Sequence, residues 1–262
     1  MPAYETVLYD VQDKVARITL NRPDRRNAMN PELNHEMFAA LQWAQEDPQV
    51  RALLITGAGK GFCSGADLTI FQERPSADLV YDNVVNGLGP VMTTIVNMPK
   101  PVIAAVNGVA AGAGAALALA CDLRVMAHDA SLLMAFTNIG LVPDAGTSWF
   151  LARQIGFSRA FEFTAAGDSI PAGQCLELGL ANKVVPAADL IDISLALALK
   201  MAGRPTLAVG MAKQALRFAQ MNDLQSTIET EAHMQQKAYQ SADFVEGVTA
   251  FMQKRRPEFK GQ

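Results

Sequence analysis

One carboxylate stands alone in a long apolar stretch of this sequence. Between Ala130 and Ala152, Asp144 is the single acidic residue, and its neighbours in "GLVPDAGTSWF" are mostly apolar or small. An aspartate deprived of water holds its proton more tightly and can act as a general acid or base. Aspartate after proline is also typical of a helix N-cap, here of a helix running to about Gly156. The local sequence leaves both interpretations open.

Two turns rich in small residues follow apolar strands and offer backbone groups for chemistry. They read "GKGFCSGADL" (59–68) and "NGVAAGAG" (107–114). Small residues let main-chain N–H groups approach a ligand closely, and N–H groups at the start of a helix can bind a developing oxyanion. The alternative is that the small residues only allow close packing of helices. Taken one at a time, the turns do not distinguish these two hypotheses.

Several other motifs nearly occur, and each lacks a required group. "GAGAAL" (112–117) has Leu117 where a dinucleotide fingerprint needs a third glycine, and "GAGKG" (57–61) lacks the hydroxyl that follows the lysine of a phosphate-binding loop. "GFCSGA" (61–66) does not have the spacing of a nucleophile elbow. The three histidines do not have the spacing of metal ligands. We therefore expect neither a nucleotide site nor a metal site.

Composition and charge restrict the class of protein. The 262 residues are 50% hydrophobic and 18% charged, which is typical of a soluble globular protein, and the net charge of −4 argues against nucleic acid as a partner. Three unpatterned cysteines and a start without a signal-peptide pattern predict a cytoplasmic location. The uncharged run between Lys100 and Asp122 is long enough to cross a bilayer, but its glycines and Asn107 favour a buried strand, a turn and a buried helix. We expect no membrane association.

Alternating strand and helix patterns predict the elements that position the chemical residues. Strand-like runs lie at 4–11, 15–20, 52–56, 102–106, 123–127 and 183–185, and helix-like runs between them include 31–45, 79–96 and 112–120. This alternation predicts an α/β fold with parallel strands. Beyond Ala187 the patterns are helical only, over 190–201, 206–219, 224–239 and 242–254. We divide the chain into a core of residues 1–190 and a helical region of residues 191–262.

The chain resembles the crotonase, or enoyl-CoA hydratase/isomerase, superfamily over essentially its whole length. The resemblance rests on "LNRPDRRNAMN", "GKGFCSGADL", "KPVIAAVNGVAAGAGAALALACDLRV", "GLVPDAGTSWFLARQIG" and "FMQKRRPEF". It implies an α/β fold built as a crotonase-type spiral of ββα units, followed by a C-terminal helical trimerisation region. A homotrimer or a dimer of trimers is the assembly that it implies.

The resemblance also implies a substrate and a catalytic site. The substrate is an acyl-CoA thioester whose carbonyl oxygen is held by the backbone N–H groups of Ala66 and Ala113. Hydratases of this superfamily use two glutamates to activate water, and the matching positions here are Ala116 and Phe136. The stretch "MAFTNIGLVPDAGTSWF" together with "NGVAAGAGA" is similar to the phenylacetate-pathway branch, which isomerises 2-(1,2-epoxy-1,2-dihydrophenyl)acetyl-CoA to its oxepin form. This similarity favours Asp144 as the acid/base.

Within this family we expect an isomerase of CoA thioesters. It converts the epoxide to the oxepin form, shifts a double bond in an enoyl-CoA, or does both. Asp144 takes a proton from one carbon and returns it to another while two N–H groups stabilise the enolate. No metal or redox cofactor is required, since coenzyme A is part of the substrate. An enoyl-CoA hydratase is the alternative enzyme, and a non-catalytic acyl-CoA-binding oligomer is a further alternative.

The expected substrate-binding residues lie mainly in the turns. They are Arg25, Arg26, Ala28, Ser64, Gly65, Ala66, Asp67, Leu68, Gly112 and Phe136. Arg25 and Arg26 can meet the phosphates of coenzyme A. The basic C-terminal stretch "KRRPEFK" (254–260) is a second candidate for the phosphates, from the same or a neighbouring subunit. A solvated basic face is the alternative for both groups.

Overall fold

The computed structural model describes residues 4–71 and 75–261. The strands of this part of the chain are β1 (Val7–Gln12), β2 (Val15–Leu20), β3 (Ala52–Gly57), β4 (Val102–Val106), β5 (Val109–Ala111), β6 (Leu123–Ala127), β7 (Ser131–Leu133), β8 (Ser169–Pro171) and β9 (Lys183–Val185). The helices are α1 (Pro31–Glu46), α2 (Ala77–Asp82), α3 (Gly89–Asn97), α4 (Ala113–Ala120), α5 (Thr147–Ile155), α6 (Phe157–Ala166), α7 (Ala172–Glu177), α8 (Leu190–Ala202), α9 (Thr206–Ala219), α10 (Leu224–Tyr239) and α11 (Ala242–Met252).

Two sheets organise the chain. The larger has the strand order β1-β2-β3-β4-β6-β9, and the smaller has the order β5-β7-β8. All neighbours in the larger sheet are parallel except β1 and β2, which form an antiparallel pair with Val7 opposite Leu20. The α/β fold is therefore as predicted, while the first strand departs from the expected parallel order because a two-residue turn at Asp13 and Lys14 reverses the chain.

The centre of the larger sheet is buried on both faces. Every residue of β3 and β4 is buried, which explains why these strands read as continuous apolar runs rather than alternating ones. Helix α8 packs across β3, β4 and β6, and α1 packs against β1 and β2. The turns that follow β3 and β4 leave from the same edge of the sheet because parallel strands end on the same side. This edge carries the two turns with candidate backbone donors.

The predicted helix over 79–96 has a π-helical segment in its middle. Helix α2 continues into the π-helical residues 83–88 and then into α3. Ser76 caps the start of α2 through its side chain, which accepts from the N–H of Leu79 at 3.2 Å. Gly87 lies within the π-helical residues, and Gly89 and Pro90 are the first residues of α3. A π-helical turn of this kind displaces the side chains that follow it and is common beside functional sites.

Four helices close the chain, as the C-terminal patterns predict. Helix α8 lies on the larger sheet, while α9 and α10 pack together and α10 contacts α11. Large apolar side chains remain exposed on these helices, among them Leu216, Leu224 and Phe251. In the described part of the chain, no helix is long and apolar enough to cross a membrane. The division at residues 190 and 191 falls at the start of α8 and stays a prediction.

Candidate active site

The turn after β3 pairs with the loop after β2. Met29 donates its N–H to the carbonyl of Gly65 at 2.7 Å, and the Met29 carbonyl accepts from the N–H of Asp67 at 2.9 Å. Successive amides of an extended segment point to opposite sides, so the N–H of Ala66 points away from Met29. Within the described residues, this N–H donates to no protein acceptor.

The second donor lies at the start of α4. Gly112 has a φ of +51°, and its N–H donates to the carbonyl of Leu133 at 2.9 Å. Ala113 is the first helical residue, so its N–H has no acceptor within the helix. A Cβ placed on Gly65 would lie 3.5 Å from the Ala113 nitrogen, which shows that the two turns touch. The structure therefore brings the two predicted oxyanion donors onto adjacent turns.

Cys63 is the point where these turns are packed most tightly. A Cβ placed on Gly114 would lie 2.2 Å from the Cys63 carbonyl oxygen, and that oxygen accepts from the N–H of Ala111 at 2.9 Å. The Cys63 thiol donates to the carbonyl of Asn27 at 3.1 Å. Burial raises the pKa of this thiol to about 12. Cys63 is therefore a fixed packing contact and not a nucleophile.

Asn27 and Ser64 hold the turn that contains Arg25 and Arg26 against the turn 59–68. We call the turns 59–68 and 107–114 the donor turns, because they carry the Ala66 and Ala113 N–H groups. The Asn27 Nδ2 donates to the carbonyls of residues 58, 61 and 62 at 2.9, 2.9 and 3.1 Å. Ser64 donates its N–H to Arg26 at 3.0 Å and its Oγ–H to the Arg25 carbonyl at 3.3 Å. Arg25 and Arg26 are exposed, whereas Ala28 behind them is buried. The two arginines thus lie at the rim of the same site, where an anionic group can reach them.

Asp67 is held by Arg22, a residue that our sequence analysis did not single out. The Arg22 Nη2 lies 2.9 Å from the Asp67 Oδ2, and both side chains are largely buried. Burial alone would raise the pKa of Asp67, but hydrogen bonds from Thr69 and Arg22 and the Arg22 charge outweigh it, so the pKa lies below its ordinary value. Arg22 also donates to the carbonyl of Ala28. Asp67 is therefore an ionised residue that fixes the turn, and its neighbour Leu68 is half exposed.

Asp144 does not cap a helix through its side chain. Helix α5 begins three residues later, at Thr147, with Gly146 as its N-cap residue and no side-chain capping bond. Only the backbone carbonyl of Asp144 serves the helix, by accepting from the Thr147 N–H at 2.8 Å. The carboxylate oxygen Oδ1 is buried without a partner in the described structure. Burial raises the pKa of Asp144 above its ordinary value of 3.8, as a general acid/base requires.

Phe136 and Ala116 occupy the positions of the two glutamates implied by the resemblance. Ala116 is fully buried in α4, and its N–H donates to the carbonyl of Gly112 at 3.0 Å. The Phe136 ring lies 3.8 Å from where a Cβ of Gly112 would be. The Phe136 carbonyl accepts from Leu141, three residues before Asp144, at 2.9 Å. An apolar ring therefore lies against the donor turn, and Asp144, which is partly buried, follows this ring by eight residues in the chain.

The C-terminal basic stretch is not brought to this site by any contact in the described structure. Arg255 is engaged with Glu246, with Nη1 to Oε1 at 2.6 Å and Nη2 to Oε2 at 2.8 Å. Its guanidinium is therefore less available to phosphates than Arg25 and Arg26 are. Among the described residues, no three His, Cys, Asp or Glu side chains are grouped as metal ligands would be.

Comparison with known proteins gives matches over nearly the whole chain. A family model described as enoyl-CoA hydratase/isomerase matches residues 10–262. The chain is 41% identical to the 1,2-epoxyphenylacetyl-CoA isomerase of Escherichia coli, with 98% of this chain and 99% of that protein covered. It is 40% identical to a "Probable enoyl-CoA hydratase" of Rhodobacter capsulatus, with 99% and 100% covered. A crystal structure of an enoyl-CoA hydratase from Bacillus anthracis matches with a TM-score of 0.94 at 34% identity, over 98% of this chain and 100% of that chain.

Proposed function

We propose that this chain, which belongs to the enoyl-CoA hydratase/isomerase family, is an isomerase of CoA thioesters. The reaction is the conversion of an epoxyphenylacetyl-CoA to its oxepin form, a double-bond shift in an enoyl-CoA, or both. Asp144 is the acid/base, and the N–H groups of Ala66 and Ala113 form the oxyanion hole. The similar proteins include both an isomerase of the first kind and a probable hydratase. The proposal therefore rests on the residues of the site and not on sequence identity.

The unpartnered carboxylate oxygen of Asp144 is the observation that carries this proposal. A buried polar atom without a partner costs free energy, and the fold keeps this one although an asparagine or alanine would avoid the cost of a buried charge. The side chain does not cap α5, so a capping role does not account for it. Its raised pKa suits a group that must both accept and return a proton.

The double-bond shift illustrates how the proposed groups cooperate. The Asp144 carboxylate removes a proton from C2 of a 3-enoyl thioester, and the electron pair moves to give a dienolate whose negative charge rests on the thioester oxygen. Two N–H donors stabilise that charge, each by about 3 kcal/mol. The protonated Asp144 then delivers the proton to C4, which leaves the 2-enoyl thioester. The number of atoms is unchanged, and no metal or redox cofactor enters this scheme.

Hydration is the less favoured activity because of what surrounds the donor turn. Addition of water to an enoyl thioester uses groups that activate the water molecule, and the two positions implied for them hold the hydrocarbon side chains of Ala116 and Phe136. Neither side chain can transfer a proton. We expect hydration of crotonyl-CoA to be far slower than the 10² per second or so typical of an efficient enzyme. Efficient hydration, measured by loss of enoyl absorbance, would replace the isomerase by a hydratase.

The remaining parts of the proposal concern binding and assembly. Arg25 and Arg26 are the proposed contacts for the phosphates of coenzyme A, with Ser64 to Leu68 and Ala28 beside the thioester. A homotrimer or a dimer of trimers in the cytoplasm is the proposed form. Its support is the exposed apolar surface of the helical region, where the exposed fractions of Leu224 and Phe251 are 76% and 85%.

Asp144→Asn tests the catalytic assignment with little change of shape. Asparagine cannot exchange a proton with carbon, so we expect turnover of 3-hexenoyl-CoA and of the epoxide substrate to fall by at least 10²-fold. Binding of a non-reactive thioester should be retained because the donor turns are untouched. Asp129→Asn is the matched control, since the Asp129 side chain is 67% exposed. Near-wild-type turnover in the Asp144 variant would contradict the proposal, and an inactive wild type on both substrates would favour the non-catalytic alternative.

A further inference from the structure

The chain makes a four-residue turn between Asp144 and helix α5. The Thr147 N–H donates to the carbonyl of Asp144 at 2.8 Å, and the two residues between them both have a left-handed backbone, with φ of +49° at Ala145 and +82° at Gly146. Two successive left-handed residues are typical of a type I′ turn. Glycine adopts this backbone freely, whereas the β-carbon of alanine comes too close to the carbonyl oxygen that follows it. Ala145 is therefore held in a conformation that alanine disfavours.

A second turn of this type connects β1 to β2. Asp13 and Lys14 have φ of +49° and +70°, and the residues on either side of them, Gln12 and Val15, are paired. Type I′ turns suit hairpins because their twist matches the twist of the two strands, so the hairpin accounts for this turn. The turn at Ala145 leads into a helix and not into a strand. Strand pairing therefore does not account for it.

The methyl group of Ala145 belongs to the hydrophobic core. Ala145 is 6% exposed and packs with the buried apolar residues, whereas Asp13 and Lys14 are exposed. A disfavoured backbone conformation persists only where the surrounding structure imposes it. At Ala145 the packing of the core has this role. Glycine would fit the same backbone with less strain, but it would lose the buried contact.

The Asp144 carboxylate depends on this backbone for its orientation. Its Oδ1 is buried without a partner in the described structure. Burial raises the pKa of Asp144, and the one opposing contribution is a hydrogen bond from its own backbone N–H. Among the described residues, no charged group adds to this balance. The direction of the carboxylate is therefore set by the backbone of Asp144 and by the turn that follows it.

We propose that Ala145 is a positioning residue, whose left-handed backbone and buried methyl group hold the Asp144 carboxylate in the orientation that proton transfer requires. Strained backbone beside a reacting group is a recurrent form of preorganisation. A displacement of about 1 Å at a reacting group can lower turnover by about 10²-fold, so a small movement of the turn is sufficient to matter. The inference rests on the proposed function for the role of Asp144 as the acid/base.

Ala145→Gly separates the methyl group from the backbone conformation. Glycine accepts the left-handed φ, so the fold should be retained while the turn loses its buried contact. We expect kcat for 3-hexenoyl-CoA to fall about tenfold with KM within about twofold of the wild type, because the donor turns are untouched. Asp13→Gly is the matched control, since it introduces glycine at the same φ of +49° in an exposed turn of the same type. It should leave kcat unchanged.

A second measurement does not depend on turnover. Asp144→Asn removes a buried charge, so the melting temperature at neutral pH should rise. The size of this rise reports how strongly the fold keeps the carboxylate from water. We expect the rise to be at least halved when Asp144→Asn is made in the Ala145→Gly protein, because the released carboxylate reaches water. In the Asp13→Gly protein the rise should be the same as in the wild type, since distant sites act independently.

Each outcome decides the inference. A smaller rise in the Ala145→Gly protein together with its lower kcat supports it. An unchanged rise, an equal reduction in the Asp13→Gly protein, no rise in the wild type, or a loss confined to KM overturns it. If the wild type isomerises no thioester, the proposed function fails, and the melting temperatures alone decide whether Ala145 holds the carboxylate. If the wild type is active and Ala145→Gly has the same kcat, only the role of Ala145 fails.

Discussion

Replacing Gly114 with alanine should push apart the two turns that carry the Ala66 and Ala113 N–H groups. The new Cβ would lie 2.2 Å from the Cys63 carbonyl oxygen and 2.8 Å from its carbonyl carbon. Real Cβ contacts essentially never fall below 3.0 Å, so one turn must move about 0.8 Å, from 2.2 to 3.0 Å, relative to the other. Both neighbours are backbone atoms, and no side-chain rotation can absorb the movement.

The expected cost of this movement has two parts. Overpacking a tight site usually lowers the free energy of unfolding by about 1–3 kcal/mol. A misplacement of about 1 Å, or the loss of one oxyanion donor, lowers turnover by about 10²-fold or more. We therefore expect the Gly114→Ala protein to fold and bind thioester but to show at least a 10²-fold lower kcat.

Gly173→Ala is the matched control for this experiment. Gly173 lies in α7, and a Cβ placed there has no neighbour within 4 Å. Alanine there should leave kcat unchanged and stabilise the helix slightly. The assay is steady-state turnover of an enoyl thioester, with thermal melting and a separate binding titration on each variant. A Gly114→Ala protein with wild-type kcat would refute the assignment of the oxyanion hole. If its melting temperature also equalled that of the wild type, the packing argument would be refuted too.

Two predictions concern the ionised groups of the site. Asp144→Asn should raise the melting temperature at neutral pH, because burial raises the pKa of Asp144 and the folded wild type loses free energy when this group ionises. This gain should shrink as the pH falls through the raised pKa and vanish below 3.8, which melting curves from about pH 3 to pH 8 would reveal. Asp67→Asn should lower the free energy of unfolding by between about 1 kcal/mol, typical of an exposed ion pair, and 4 kcal/mol, typical of a buried one. The loss should disappear at pH values below the lowered pKa of Asp67, and a loss independent of pH in urea unfolding would contradict the role of the Arg22 pair.

The fold was largely predictable because its strands are marked by strong patterns. The runs at 15–20, 102–106, 123–127 and 183–185 coincide with β2, β4, β6 and β9, and the α/β class and the resemblance to the crotonase superfamily are confirmed. The short strands β5, β7 and β8 were missed. Three residues are too few to show a periodicity, and these strands form only because the loops between larger elements meet.

The site was less predictable because it depends on long-range contacts. The two glycine-rich turns are visible in the sequence, but only the Met29 pairing orients the Ala66 N–H. Capping and catalytic interpretations of Asp144 could not be separated locally, since the helix start is set by Gly146 with its left-handed φ of +82°. Arg22 gave no signal that points to Asp67, which is 45 residues away. The one available hint was its place in "LNRPDRRNAMN".

The three cysteine thiols of this chain are buried, so we expect the folded protein to react slowly with alkylating reagents. Cys63, Cys121 and Cys175 are all buried, and burial raises their pKa values to about 12, 12 and 11. Thiolate, the reactive form, is therefore scarce and shielded in the folded protein. Cys63 lies in the donor turn, so slow labelling at this one position measures how often the turn opens. The rate of labelling at Cys63 therefore reports local unfolding of the site. Because the three native cysteines react slowly, a single cysteine added on the surface can be labelled selectively.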